Sequence, residues 1–423
     1  MKKHLNYNQI LSTEEGLPPS QKKWKQTFAS FKNKNFRYYF FGQGCSLIGT
    51  WMRSAALGWI TYQISHSAFL LGLVFTLNTL PVPFIAPWAG TLADQFSKIK
   101  IFQITSVFSM ISSLTITVLL FISRPSILEL MIFSLLWGCS SAFEMPARQA
   151  LVIDLVKSDE MVNAVALNSS LINFTRIIGP ALAGILIGSI GAAWCFLIDA
   201  ISFIIILIVL SKLKNIPNSS SLKRTPVLKQ LKEVVHYVKR TPIISRNLLI
   251  LATMSIFGWA YFSQLPAIAK TQLHMGAEGY GWLLAMTGLG ASMAGLTVAT
   301  LSKHPKIELQ SYIGIIIFCL SIIAFGFQKN LVASAFFLFL SGYGLILFFS
   351  TNNSLIQLSV SNEFRGRVTG LRATAFGGGM PIGSFWMGIV ASKIGSTLTL
   401  QISAALALIF SIYIFSHFIK KAF

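Results

Sequence analysis

Five polar side chains stand within long apolar runs: Arg53, Glu144, Arg176, Asp199 and Gln264. Charge is costly in a lipid-like medium. Such groups pair with one another, face a cavity, or mark the path of a substrate or ion. Their chemistry is that of holding and moving charge. Bond-making chemistry would need a nucleophile, base or metal cluster within mutual reach, and no His–Asp or Asp-rich pair stands out. No G-x-x-x-x-G-K-[ST] phosphate loop occurs, so ATP hydrolysis by this chain is not expected. The cysteines, Cys45, Cys139, Cys195 and Cys319, are far apart and show neither metal spacing nor a disulfide framework. No metal, cofactor or enzymatic activity is therefore expected.

The elements that must position these groups are membrane spans. The 423 residues are 54% hydrophobic and only 11% charged, with mean hydropathy +0.66. A soluble domain carries roughly 25% charged residues. Twelve apolar runs are each long enough to cross a bilayer: 36–63, 69–92, 99–122, 126–146, 162–190, 193–211, 244–269, 278–301, 310–327, 331–357, 367–391 and 396–418. No apolar segment of the kind found in a cleavable leader precedes Phe36. The net charge of +21 invites a nucleic-acid reading, but its distribution opposes one. Of the 34 lysines and arginines, 28 fall in the tails, in the even-numbered connections or at the span ends beside them. Arg124, Lys270, Lys329 and Lys393 alone fall in the odd-numbered connections, with Arg53 and Arg176 deep in spans. This asymmetry is the positive-inside pattern and places both termini in the cytoplasm.

Depth separates the five groups. Arg53 lies about 17 residues into the first span, roughly 25 Å from its cytoplasmic end. Asp199 lies at a similar depth in the sixth, so the two can bridge each other or serve a pathway. Glu144 sits near the cytoplasmic face, with Arg176 as a candidate partner. Pro146 is expected to stop the fourth span, and Ser158, Asp159 and Glu160 to cap the fifth. Arg176 precedes Gly179-Pro180 by about one helical turn. Its donors are placed to satisfy carbonyls freed by Pro180 and still reach Glu144. Gly184 and Gly188 continue a small-residue stripe that admits a close neighbouring helix.

Two runs carry a family resemblance. Met145-Pro146-Ala147-Arg148-Gln149-Ala150, Asn163 with Asn168, and Arg176-Ile177-Ile178-Gly179-Pro180-Ala181-Leu182-Ala183-Gly184 resemble the fourth connection and fifth helix of major facilitator superfamily transporters. The likeness is to the efflux branch that includes the enterobactin exporter. Gly90-Thr91-Leu92-Ala93-Asp94-Gln95-Phe96-Ser97-Lys98-Ile99-Lys100 resembles the superfamily's loop 2–3 motif, with Gln95 and Ser97 departing from its usual arginine and glycine. The resemblance implies an all-α integral membrane fold of twelve transmembrane helices in two six-helix halves. It implies that spans 1, 4, 7 and 10 line a central cavity, and that spans 5 and 11 pack at the interface between the halves, with spans 2 and 8. Gly90, Asp94, Lys98 and Lys100 would form a cytoplasmic latch, with Asp94 pairing and the lysines meeting lipid phosphates. Arg148, Glu363, Arg365 and Arg367 would share that gate. The implied function is proton-driven export of a siderophore or an amphipathic drug, with import or uniport as the alternative.

An internal repeat agrees with two halves. Shifted by 204 residues, Gly179, Gly184 and Gly191 fall on Gly383, Gly388 and Gly395. The chain then divides into a polar tail (1–34), a first half (35–211), a cytoplasmic linker (212–242) and a second half with a short tail (243–423). In the linker, Val227, Leu228, Leu231, Val234, Val235 and Val238 alternate at helical spacing with lysines, which predicts a basic amphipathic helix on the inner leaflet. The expected partners are a small-molecule substrate, protons and membrane lipids, with no nucleic acid, and the expected state is a monomer.

Overall fold

The computed structural model describes residues 29–85, 88–89, 96–123, 125–157, 160–213, 227–301, 307–361 and 363–420. Among them the chain is helical throughout. A short 3-10 turn, Ala29–Lys32, leads into α1 (Lys34–Ser65), whose first amides bond to the Asn33 side chain. The first half continues with α2 (Ala68–Thr79, extending to Ile85), α3 (Lys98–Ile122), α4 (Ile127–Asp154), α5 (Met161–Ser189) and α6 (Ala193–Lys212). Ser67, Ser97 and the Ser126–Glu129 capping box start α2, α3 and α4 by occupying amides that have no partner within a helix. After α7 (Val227–Arg240) comes a broken span, α8 (Pro242–Thr253), a π turn (Met254–Gly258), a 3-10 turn (Trp259–Gln264) and α9 (Leu265–Thr271). The second half ends with α10 (Ala277–Leu301), α11 (Ile307–Gly326), α12 (Leu331–Ser359), α13 (Arg365–Ile394) and α14 (Ser396–Lys420).

Ten of the described helical segments are long and apolar enough to cross a membrane. The remaining two of the twelve expected spans are α1, 32 residues, and α13, 30 residues. Both are long enough to cross a bilayer. Large apolar side chains such as Ile104, Ile111 and Phe121 on α3, or Ile409 and Ile412 on α14, point away from the protein. A soluble monomer would not expose so much apolar surface, whereas a bilayer covers it.

One local expectation fails. Pro146 does not end its helix: α4 runs through it to Asp154. Pro180 and Pro381 likewise sit inside α5 and α13. A proline removes one helix hydrogen bond, and packed neighbours can hold the chain helical on either side of the bend. At the start of α5, Glu160 occupies the cap position without a side-chain bond, and Ser158 and Asp159 lie outside the described residues.

The halves meet along two seams, α5 against α10 and α2 against α13. The repeat is physical. Gly191 and Gly395 close α5 and α13 with φ of +102° and +86°, a backbone open to glycine and strained for other residues. A Cβ on Gly184 would stand 2.7 Å from Gly281 Cα, and one on Gly72 2.7 Å from Gly388 Cα. Each seam is thus glycine against glycine, with backbones touching.

Candidate functional site

Both seams are tight toward one end. A Cβ on Gly188 would meet Glu278 and one on Gly388 would meet Phe69, near the 65–68, 190–193 and 271–277 connections. Toward the other end the contacts between the described residues thin out. Among those residues a Cβ on Gly295 would find only Asn173, at 3.9 Å, and one on Gly366 or Gly370 would find nothing within 4 Å. Gln264 secures the closed end. Its Nε2 donates to the Ala68 carbonyl at 3.3 Å, and Ser396 Oγ donates to its Oε1 at 3.0 Å. It ties both halves together through interhelical hydrogen bonds and is not among the residues that line the cavity.

The space between the halves holds a cavity of about 230 Å³. Trp51, Ser54, Asn78 and Arg176 line it from the first half, and Trp259, Ser263, Tyr280 and Ser384 from the second. Trp259 is there because of the break in its span. The π and 3-10 turns around it do not keep the regular α-helical ladder, and Ser403 Oγ of α14 donates to the Phe257 carbonyl at 2.8 Å.

Arg176 is half-buried in the cavity wall. Its guanidinium carbon lies 5.1 Å from the Trp51 ring and 5.7 Å from the Trp259 ring. Its Nε is buried without a hydrogen-bond partner, and no carboxylate pairs with it among the described residues. The expected pairing with Glu144 is not formed. Glu144 Oε1 instead accepts from Arg148 Nη1 one turn along α4, at 3.2 Å.

Arg53 and Asp199 choose each other. Arg53 Nη1 lies 2.7 Å from Asp199 Oδ2, which also accepts from Ser113 Oγ at 2.6 Å. Gly49, one turn before Arg53, lets α6 come close enough: a Cβ there would stand 2.9 Å from Asp199 Cα. The Trp137 and Phe203 rings flank the guanidinium at 4.6 and 6.0 Å. All these groups belong to the first half, and neither Arg53 nor Asp199 lines the cavity.

The gate residues divide. Gly90 and Asp94 lie outside the described residues. Lys98 pairs with Asp154 at the end of α4, a partner that sequence reading missed. Lys100, Glu363 and Arg365 are exposed. Arg367 Nη1 bonds Glu233 of the linker helix at 2.9 Å and lies over Phe364. That helix is docked on the second half: Tyr237 stacks on Phe364 with centroids 4.2 Å apart, and its hydroxyl accepts the Ser361 amide at 3.1 Å. These Ser361 hydrogen bonds hold the Tyr237 phenol below its ordinary pKa. The aromatic pair around Arg176 was also missed. Trp51 and Trp259 look like ordinary apolar residues in sequence, and only the broken span brings the second one inward.

Comparison with known proteins agrees with this architecture. The chain is 29% identical over 376 residues to the staphyloferrin A transporter of Staphylococcus aureus, covering 86% of this chain and 92% of that one. It is 23% identical over 372 residues to the enterobactin exporter EntS of Citrobacter koseri, covering 88% of each. In fold it resembles an inward-facing bacterial homologue of the human lysosomal transporter Spinster (TM-score 0.72, 13% identity, 92% of this chain and 98% of that one). The nucleoside transporter NupG is similar (TM-score 0.73, 13% identity, 90% and 98%). Residues 25–422 match the transmembrane secretion effector family, and with two helical halves meeting at a shared cavity the chain belongs to that family of major facilitator membrane transporters.

Proposed function

We propose that the protein exports a siderophore or a similar amphipathic small molecule across the cytoplasmic membrane by alternating access, driven by proton entry. The observation that carries this reading is the cavity between the halves, sealed at one end by the paired glycine seams, with contacts between the described residues thinning toward the other. Rocking the halves about such a site exchanges which end is sealed. The named relatives include a siderophore transporter and a siderophore exporter, which supports the substrate class and direction. The basic connections lie at that other end, which is the cytoplasmic end if both termini are cytoplasmic. On that reading the docked linker helix lies at the inner leaflet, and the protein works as a monomer. A cysteine at Ser220 should then be shielded from an impermeant thiol reagent in intact cells, and labelling there would reverse the orientation.

The test of function is flux of an iron-free siderophore in proteoliposomes under an imposed pH gradient. Substrate movement that follows the gradient and collapses with an uncoupler supports proton-driven export. A second reading, uniport or import without protons, is favoured by one feature. Among the described residues the cavity lining holds no carboxylate, while Asp199 and Glu144 are paired elsewhere. Flux indifferent to the gradient would select it.

A further inference from the structure

We propose that Arg176 is an anion anchor, and that the cavity takes molecules bearing a carboxylate in preference to neutral or cationic amphipaths. This rests on the reading of the cavity as a transport site. Arg176 is a cation in a wall otherwise made of aromatic, apolar and neutral polar groups. Its aromatic neighbours attract the charge but accept no N–H···O bond. Its buried Nε therefore has no acceptor, and none of its other donors is bonded among the described residues. A guanidinium is a planar fork whose geometry suits a carboxylate, which it can hold through two parallel bonds.

The alternatives leave the site worse off. A neutral guest displaces water from Arg176 and gives it no counter-charge, which is costly in a low-dielectric cavity. A cationic guest adds like-charge repulsion. Among the described residues Arg53 is already paired with Asp199, and Arg372, whose Nε is also unpartnered, donates to the Phe349 carbonyl at 3.3 Å; neither lines the cavity. Ser54, Asn78 and Ser263 supply hydroxyls and an amide for further polar groups on the guest. Trp51 and Trp259 come from different halves, so an anion at Arg176 sits on the boundary across which they separate.

The experiment is thermal unfolding of the detergent-purified full chain with three carboxylates: tricarballylate, phthalate and 2,6-naphthalenedicarboxylate. Each is compared with its uncharged methyl ester at matched ionic strength. A ligand that binds the folded state raises the midpoint with concentration. At least one acid should do so where its ester does not, a contrast that needs no variant. In Arg176→Gln that acid's affinity should weaken roughly tenfold or more, the loss expected for a charge-assisted contact. Arg176→Lys should fall between, since it keeps the charge and loses the fork. No shift with any acid, an equal shift with the esters, or an unchanged acid shift in Arg176→Gln would overturn the proposal. Binding without flux in proteoliposomes would retire the transport reading and leave the anion site standing. Siderophore flux with no carboxylate binding would do the reverse.

Discussion

Arg53 and Arg176 are both cations set deep in apolar helices, and each lies between two aromatic rings. They differ in what completes them. Arg53 is buried within one half and neutralised by Asp199 and its hydroxyl neighbour Ser113. Arg176 is held between the halves, and among the described residues nothing neutralises it. Depth in the membrane therefore does not by itself mark a pathway residue. What marks one is a charge that the protein leaves for something else to complete. The first arginine reads as a structural brace and the second as a binding group.

The largest effect should come from unbalancing the brace. Arg53→Met or Asp199→Leu alone strands one buried charge and should cost about 3–5 kcal/mol, while the double substitution should recover most of it. Thermal unfolding in detergent reads this directly. Single variants as stable as the parent would break the contrast by showing that Arg53 is no brace.

Arg176 should behave in the opposite way. Arg176→Ala should leave stability nearly unchanged and lower siderophore flux by about 10- to 100-fold, the range expected for losing a charge-assisted contact. Arg176→Lys should fall between, keeping the charge and losing the planar fork. Adding Glu144→Gln to Arg176→Ala should give effects that sum within about 0.5 kcal/mol, because Glu144 bonds Arg148 instead. Strong non-additivity would restore a link between Glu144 and Arg176.

The contrast also requires that Arg176 lie between parts that separate. Gly184→Ala places a methyl against Gly281 Cα and should cost about 1–2 kcal/mol in the closed seam. Its signature is greater thiol accessibility at the sealed end, with Gly366→Ala as a silent control at a position without a neighbour within 4 Å among the described residues. Equal accessibility in both variants would argue against a seam that seals.

The smallest effect should be at the linker. Tyr237→Phe keeps the stack on Phe364 and loses the bond from Ser361, so it should cost about 0.5–1.5 kcal/mol. Its depressed pKa adds stability only as pH rises through the folded value toward the ordinary phenol pKa. It is lost as pH falls back, so docking should not vary around neutrality. A docking transition near neutral pH, followed by accessibility of a cysteine at Lys239, would assign the tie to another group.

Composition and periodicity alone determined the membrane class, most span positions, the repeat and the amphipathic linker helix. These depend on local chemistry: lipid demands long apolar helices, and a glycine stripe is visible wherever it falls. The motif runs at 145–150 and 176–184 carried the family. Pairing was another matter. Arg53 had two roles open, Arg176 had Glu144 only as a candidate partner, and Gln264 could tie helices or meet substrate. Trp51 and Trp259 carried no signal, and Asp154 was not seen as the partner of Lys98. Which charge meets which depends on helix rotation, on close approach at Gly49 and on the π and 3-10 break before Pro266. Each of these joins residues far apart in the chain, where electrostatic partners are decided by a few ångströms that sequence spacing does not encode.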